Sequence, residues 1–345
     1  MTNVKNHKSE ARLEDSTYKK VSIIVDRWLD VHKGETFDLD LICRQLQITE
    51  RENRHFVVQK LSYEIQTGKL EKSNRIYRYI NKDKDIIDWY NSNIDSTINI
   101  KWPKGRDGTK FGFDGCVCIS PGDIIVVAGV SNMGKTTFAQ NFLWENMDTY
   151  PCVLMGNEYT PVKFKRRISR MTWNDPIIDG KPKFELIKRL ENWADIVEPD
   201  KVTIIDWIAL PANELYNIGH VIQGIQSKVG NGIALIVLQK DEASNLGRGR
   251  AFSEELASLY LTIDKGRMSV RKAKEWFQHD PNREVYGFDI TNGGVEFRNI
   301  RPLTKCFNCK GSGQVKGNEC YSCHGTGYVE KVKPNSPTKE PEMDF

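Results

Sequence analysis

Long hydrophobic runs are missing from this sequence. No apolar stretch approaches the roughly twenty residues that span a bilayer, which excludes a helical membrane protein. Residues 1–10 are polar and lack the apolar core of a signal peptide, so the sequence predicts a cytoplasmic protein with no membrane partner. A strong excess of one charge is also missing. Lysine and arginine total 50 against 46 aspartates and glutamates; the net charge of +4 leans toward anionic partners without deciding for them. Nor is there a disulfide framework. Of the eight cysteines, Cys43, Cys116, Cys118 and Cys152 stand singly in or beside apolar segments, where a reduced thiol behaves as a small hydrophobe. The other four cluster near the C-terminus at metal-ligand spacing, which in a reducing compartment argues for metal. What is present is ordinary globular composition, 39% hydrophobic and 28% charged, in 345 residues, enough for two or three domains.

One stretch organises the rest: Gly129-Val130-Ser131-Asn132-Met133-Gly134-Lys135-Thr136, a match to G-x-x-x-x-G-K-[ST]. The apolar, β-branched segment 123–128 precedes it and 137–144, apolar at helical spacing, follows it. Strand, glycine-bounded loop and helix form the context in which this motif means a phosphate cradle. Backbone N–H groups from Ser131 through Asn132, Met133 and Gly134 to Lys135 would face the phosphates of ATP, reinforced by the positive end of the following helix. Lys135 supplies a point charge for the same oxygens, the Thr136 hydroxyl a ligand for Mg²⁺, and Gly129 and Thr137 bound the nucleotide-binding set.

Upstream, residues 1–17 are charged and aperiodic and predict disorder. Val21, Ile24, Val25, Trp28 and Leu29 recur at helical spacing; a second short helix starts at 37–43. Thr49 and Glu52 read as a capping box opening a third helix through about Gln66. Residues 69–80 predict a hairpin turning at Ser73-Asn74. Three helices and a basic hairpin resemble a winged-helix domain (18–81). In that reading Arg51, Arg54 and Lys60 on the third helix face a DNA groove, with Lys72, Arg75 and Arg78 near the backbone. The same charges also fit a plain solvated face on a domain that docks protein. A polar linker, 82–101, follows.

From 102 to 302 strands alternate with helices, several of the strands apolar throughout, which predicts an α/β domain with a mostly parallel sheet covered on both faces. Strands are expected at 152–157, 202–206 and 233–238, and helices at 162–171, 184–193 and 213–229. Functional groups in such a sheet belong at the C-terminal ends of strands. Glu158, Asp206 and Gln239 sit there with the P-loop. Asp206 is placed to hold Mg²⁺ beside Thr136. Glu158 is the candidate general base for the attacking water. Gln239 is either a sensor of the terminal phosphate or an ordinary polar strand end.

The order of P-loop, strand-end Glu158, Ile204-Ile205-Asp206-Trp207, Val237-Leu238-Gln239 and a Gly/Arg-rich loop resembles the RecA-type core of DnaB-type replicative helicases, with RadA- and KaiC-like relatives. The resemblance implies a RecA-like P-loop ATPase, a homo-oligomeric ring of hexameric type, single-stranded DNA as partner, and work alongside replication proteins. It strengthens Glu158 as the base. Arg248 and Arg250, in a mobile cationic loop over 240–252, would meet the DNA phosphates. Lys272 and Lys274 stand where DnaB-like cores carry a Lys-x-Arg pair that reaches the neighbouring subunit's nucleotide. Here the second member is lysine, which neutralises charge but cannot clamp two oxygens. The same motifs leave room for a RadA-like recombination ATPase and for a KaiC-like switch that does not translocate.

Cys306-x-x-Cys309 and Cys320-x-x-Cys323, each followed by x-Gly-x-Gly, would give four thiolates to one tetrahedral Zn²⁺. They resemble one half of the DnaJ-type cysteine-rich repeats and define a zinc module over 303–330. The tail, 331–345, is rich in Pro, Lys and Glu and predicts disorder.

Overall fold

A computed structural model describes the backbone of residues 4–331 except 83, 85, 92, 94–96 and 243, and side chains from residue 17 onward. The disorder expected for 1–3 and 332–345 lies outside the described residues. The chain divides into two compact units at residues 91 and 92, each described by itself.

In the first unit, helix α1 (Val4–Val31) begins at Val4, so 4–17 is helical where disorder was expected. Charged Lys, Glu and Arg are good helix formers and need no apolar face to continue a helix nucleated downstream. Val21, Val25, Trp28 and Leu29 bury one stripe of it, while Ile24 faces solvent. Strand β1 (Thr36–Asp38) takes up Phe37, and α2 (Leu39–Gln45) starts two residues later than expected. The Asp38 carboxylate caps α2, accepting from the Leu41 N–H at 2.7 Å. Helix α3 (Arg51–Gln66) has Glu50 as its N-cap residue, without a side-chain bond to the backbone; Asn53 Nδ2 donates to Glu50 Oε2 at 2.8 Å, and the expected box of Thr49 and Glu52 does not form. Strands β2 (Leu70–Ser73) and β3 (Ile76–Tyr79) make the hairpin, and the sheet order is β1-β3-β2. Asn74 at the turn takes φ +56°, a conformation asparagine tolerates.

Lys60 corrects an expectation. It is buried, 6% exposed, against the fully buried Glu64. Its ammonium pairs with Asp26 at 2.8 Å and Glu64 at 2.5 Å, and Lys69 adds a second cation, 3.3 Å from Glu64. An i, i+4 pair turned inward from α3 is an internal ion cluster that no DNA can meet. Arg51 is exposed, Arg54 pairs with Asp40, Arg78 pairs with Glu71 at 2.6 Å, and Lys72 lies over the Tyr77 ring.

The second unit is built on one ten-stranded sheet. Its elements are β4 (Ile124–Gly129), α4 (Lys135–Asn146), β5 (Cys152–Gly156), α5 (Pro161–Ile168), the small hairpin β6 (Ile177–Ile178) and β7 (Lys181–Pro182), and β8 (Phe184–Lys188). Then come β9 (Val202–Ile208), α6 (Ile218–Gln226), β10 (Ile233–Gln239), α7 (Ala251–Glu255), β11 (Leu259–Asp264), β12 (Arg267–Ala273), β13 (Val285–Thr291) and β14 (Glu296–Lys305). Last are the hairpin β15 (Gln314–Val315) and β16 (Asn318–Glu319), and β17 (Tyr328–Glu330). The order is β17-β14-β13-β12-β11-β4-β10-β9-β5-β8; β8 through β11 run parallel and the remainder antiparallel.

Every residue of β4 is buried, because the sheet is covered twice. Ile125 and Val127 enter an aromatic-rich core with Phe111, Phe138 and Phe288; Ile124, Val126 and Ala128 enter a second core with α6 through Ile222 and Ile225. This is the α/β, RecA-like P-loop architecture that the sequence predicted.

Three boundaries differ. Residues 184–188 form an edge strand, not the expected helix: β8 pairs in parallel with Cys152–Gly156, and only a 3₁₀ turn follows at Trp193–Ile196. The expected linker ends early, since Ile100 and Trp102 are buried in the aromatic core and the Ile98 N–H donates to Ile119 O at 2.9 Å. The cysteine module is not separate from the sheet, because β14 crosses position 302 and pairs with β17 beyond the cysteines. Among the described residues no helix is long and apolar enough to cross a membrane.

Candidate nucleotide site and cysteine cluster

The P-loop leaves β4 at Gly129 and enters α4 at Lys135. Gly134 caps the helix at φ +108°, and a Cβ there would fall 2.5 Å from Ile290 Cδ1. At Gly129 a Cβ would come within 2.9 Å of both Lys135 Cγ and the Ile263 carbonyl. Both glycines are therefore required by close approach. Ser131 and Asn132 are exposed, Asn132 with φ +60°, and Met133 packs on the aromatic core. Lys135 is buried and its ammonium donates to Val130 O at 2.7 Å, folded over the loop that its charge would serve. Burial lowers its pKa, and the charges of Asp206 and Glu158 oppose that.

Thr137 departs from the expected role. Its hydroxyl donates to Gly294 O at 2.7 Å, tying α4 to the β13–β14 turn. Thr136 is the hydroxyl left at the site, and it approaches the Asp206 carboxylate.

Asp206 lies where β9 gains one residue over β10: Ile205 pairs with Ile236, but Ile208 pairs with Leu238. A bulge re-aims the side chains it contains. Asp206 is buried, Tyr159 OH donates to its Oδ2 at 2.6 Å, and Oδ1 has no hydrogen-bond partner. Burial raises its pKa against the pull of the Tyr159 and Thr136 hydroxyls and the charges of Lys135 and Arg167. An orphaned, buried carboxylate oxygen beside a threonine hydroxyl fits a hydrated Mg²⁺.

Glu158 stands two residues beyond β5, exposed, with Trp207 Nε1 donating to its Oε1 at 3.3 Å. Gln239 ends β10 directly opposite Gly129. Its carbonyl accepts from the Arg248 N–H at 2.7 Å, and the Lys240 N–H donates to Gly129 O at 3.0 Å. The structure thus gathers Lys135, Thr136, Glu158, Asp206 and Gln239 at one edge of the sheet, with Arg248 and Arg250 exposed on the adjoining loop. Lys272 and Lys274 are elsewhere. Lys272, two strands away from the P-loop strand, pairs across to Tyr260, itself level with Val126 in the middle of β4. The Lys272 ammonium donates to the carbonyls of Glu254 and Glu255 at 2.7 and 3.1 Å, at the end of α7, while Lys274 is exposed.

Two residues at this site escaped the sequence reading. Tyr159 is bonded to Asp206; burial, and then that carboxylate, push its pKa far above the usual tyrosine range. Arg167 of α5 donates through Nε to Gln140 Oε1 at 2.5 Å and through Nη2 to Gly294 O at 2.5 Å. Neither belongs to a spacing motif, although Tyr159 is adjacent to Glu158.

The four cysteine sulfurs lie within 4.8 Å of one another. Cys306 and Cys320 Sγ are 3.8 Å apart, and Cys309 and Cys323 Sγ 3.6 Å. A tetrahedron with metal–sulfur bonds of about 2.3 Å has edges of about 3.8 Å. The two turns mirror each other. Gly313 and Gly327 N–H donate to Cys309 and Cys323 Sγ, each at 3.3 Å. Burial pushes the Cys309 thiol up, but the N–H groups of Gly311 and Gly313 and the neighbouring thiols outweigh it and hold it down. Gly313 and Gly327 each back onto the other turn's chain: a Cβ at Gly313 would fall 2.3 Å from Gly325 O, one at Gly327 2.4 Å from Gly311 O. The cluster's chemistry and dimensions are compatible with zinc.

A glycine-bounded loop between strand and helix, with a carboxylate on a parallel strand one removed, defines a P-loop ATPase of RecA-like fold. Residues 111–228 match the family model described as "ATPase: KaiC", so the chain carries a KaiC-like ATPase domain. Among solved structures, a KaiC-like protein from the hyperthermophilic archaeon Pyrococcus horikoshii OT3 is similar at 15% identity and a TM-score of 0.42, over 59% of this chain and 100% of that one. No curated protein matches the chain.

Proposed function

We propose that this chain is an ATP-driven motor on DNA, of the DnaB-like helicase type. Its ATPase chemistry follows from the gathered residues. The P-loop N–H groups and Lys135 hold the phosphates, and Thr136 and Asp206 would hold Mg²⁺, which neutralises charge on the phosphate oxygens. Glu158 orients water and takes its proton as the new P–O bond forms and the bridging P–O bond breaks, leaving ADP and phosphate. Lys272 and Lys274, remote from their own P-loop, are assigned to a neighbouring subunit's nucleotide in a ring; of the two, Lys274 has the freer ammonium. The first unit, with three helices and a β1-β3-β2 sheet, is read as a winged helix, and the cysteine cluster as a structural zinc site.

The observation that carries the DNA assignment is the hydrogen bond from the Arg248 N–H to the Gln239 carbonyl. Gln239 is level with Gly129, so the loop bearing two exposed arginines is one backbone bond from the phosphate cradle. The test is the ATPase rate with and without single-stranded DNA. Wild type should be stimulated, with binding that weakens steeply as salt rises. Arg248→Ala with Arg250→Ala should lose stimulation and keep basal turnover; unchanged stimulation would sink the loop assignment. The match over 111–228 favours a second reading, a KaiC-like ATP-dependent switch, whose rate would be indifferent to DNA.

A further inference from the structure

The cysteine module presents a surface that ATP hydrolysis does not use. Each Cys-x-x-Cys turn places an aromatic residue first between its cysteines, and both face solvent: Phe307 is 92% exposed and Tyr321 78%. The cysteine cluster fixes these turns, and the tips abut across the module, where Asn308 Nδ2 donates to Tyr321 OH at 3.1 Å and to Ser322 Oγ at 2.5 Å. Lys305, Lys310, Lys316 and Lys331 are exposed in the same segment, outnumbering the exposed Glu319 and Glu330, and among the described residues none of the four makes an ion pair. The only other large hydrophobic side chain exposed in the module is Val315. Exposed Phe and Tyr also suit a protein interface, but this patch is two rings with little aliphatic area beside them. Two held aromatic faces in a segment with unpaired ammonium groups match what a single strand offers, flat bases and a phosphate chain.

We propose that the tip of the cysteine module binds single-stranded DNA, bases stacking on Phe307 and Tyr321 while lysines of the same segment meet the phosphates. The proposal rests on the reading of this chain as a DNA-acting ATPase, and places a second contact away from the loop of Arg248 and Arg250. Stacking tolerates any base and contributes little sequence preference.

The test uses the full chain with its metal content measured. Fluorescence anisotropy compares oligo-dT with an abasic strand of equal length, which keeps the phosphates and lacks the bases. Wild type should prefer oligo-dT by about tenfold or more. Phe307→Ala with Tyr321→Ala should erase that preference at unchanged metal content and basal ATPase rate, and Tyr321→Phe should keep it. Arg248→Ala with Arg250→Ala should weaken both strands and leave their ratio. No preference in wild type, or an undiminished one in the Phe307/Tyr321 variant, overturns the proposal, the latter leaving the motor intact if DNA still stimulates the ATPase. Base-dependent binding lost in that variant, beside an ATPase rate indifferent to DNA, upholds the tip and overturns the motor.

Discussion

The Tyr159 hydroxyl donates to Asp206 Oδ2 at 2.6 Å, joining the residue after the candidate base to the carboxylate placed for Mg²⁺. The bond occupies one carboxylate oxygen and leaves Oδ1 free, so it selects which face of Asp206 meets the site. Close packing sustains it: a Cβ at Gly156 would fall 2.4 Å from the Tyr159 ring and 2.5 Å from the Asp206 carbonyl.

Tyr159→Phe keeps the ring and removes that donor. Loss of one hydrogen bond to a buried carboxylate corresponds to about 1–3 kcal/mol, or roughly a 5- to 150-fold change if it is expressed in turnover. Asp206 must be ionised to hold a cation, and its pKa is already raised by burial against the pull of Tyr159. Without Tyr159 the pKa rises further, so the acid limb of the pH–rate profile should move to higher pH and the Mg²⁺ requirement should increase. An unmoved acid limb would show that Tyr159 only fills space.

Glu158→Gln separates proton transfer from placement. The amide oxygen can still accept from Trp207, but it cannot take a proton from water. Turnover should fall by about 10²–10⁴-fold. ATP affinity, read by a fluorescent analogue, should be equal or tighter, since a negative charge beside the phosphates is gone. A smaller loss in turnover would move the base role elsewhere.

Much of this site was legible because its signals are local. The P-loop, its strand and its helix lie within one stretch, and the cysteine spacing alone states the cluster. Glu158 was legible as a residue just past a strand; Asp206 was legible as a carboxylate after an apolar run, although β9 continues past it to Ile208. Tyr159 was not, because its partner is 47 residues away. Residues 184–188 read as a helix because Glu, Leu and Lys suit one, and only the open edge of Cys152–Gly156 makes them a strand. Lys60 reads as surface because a charged residue on a helix usually is; its burial depends on Asp26 of another helix together with Glu64. Local pattern gives element type where both faces of the element are buried, whereas edge strands and buried ion clusters depend on the assembled fold.

Lys60→Met tests that ion cluster. Removing the cation leaves Glu64 buried, with Lys69 at 3.3 Å as its remaining partner. Breaking a buried pair from one side destabilises by about 3–5 kcal/mol. Lys60→Met with Glu64→Leu replaces both charges by apolar groups and should recover much of that loss. Thermal unfolding of the full chain should show the change in the transition of residues 1–91. A single variant as stable as wild type would mean that Glu64 takes up a proton at little cost.

Metal removal should be local. The sulfurs lie beyond β14, and the sheet continues from the cysteine turns through β17 pairing to Leu303–Lys305. Without a cation the cysteines take up protons and no longer tie the two turns together, and among the described residues Val329 is the one hydrophobic side chain that packs on the cluster. Chelation should therefore release 306–327 and fray β17, while β4, β9 and β10, buried in two cores at the far side of β11, stay intact. Hydrogen exchange should show protection lost from about residue 303 onward and kept at 124–129, with basal ATPase unchanged. Arg267 joins the two regions: it stacks on Tyr328, donates to Thr326 O at 3.3 Å and pairs with Asp264, which also holds the buried Lys240 at 2.6 Å. If chelation instead lowers the ATPase rate, that chain of contacts from the module to the strand end beside Gln239 is the route to examine, and Arg267→Ala should reproduce the loss with the metal still bound.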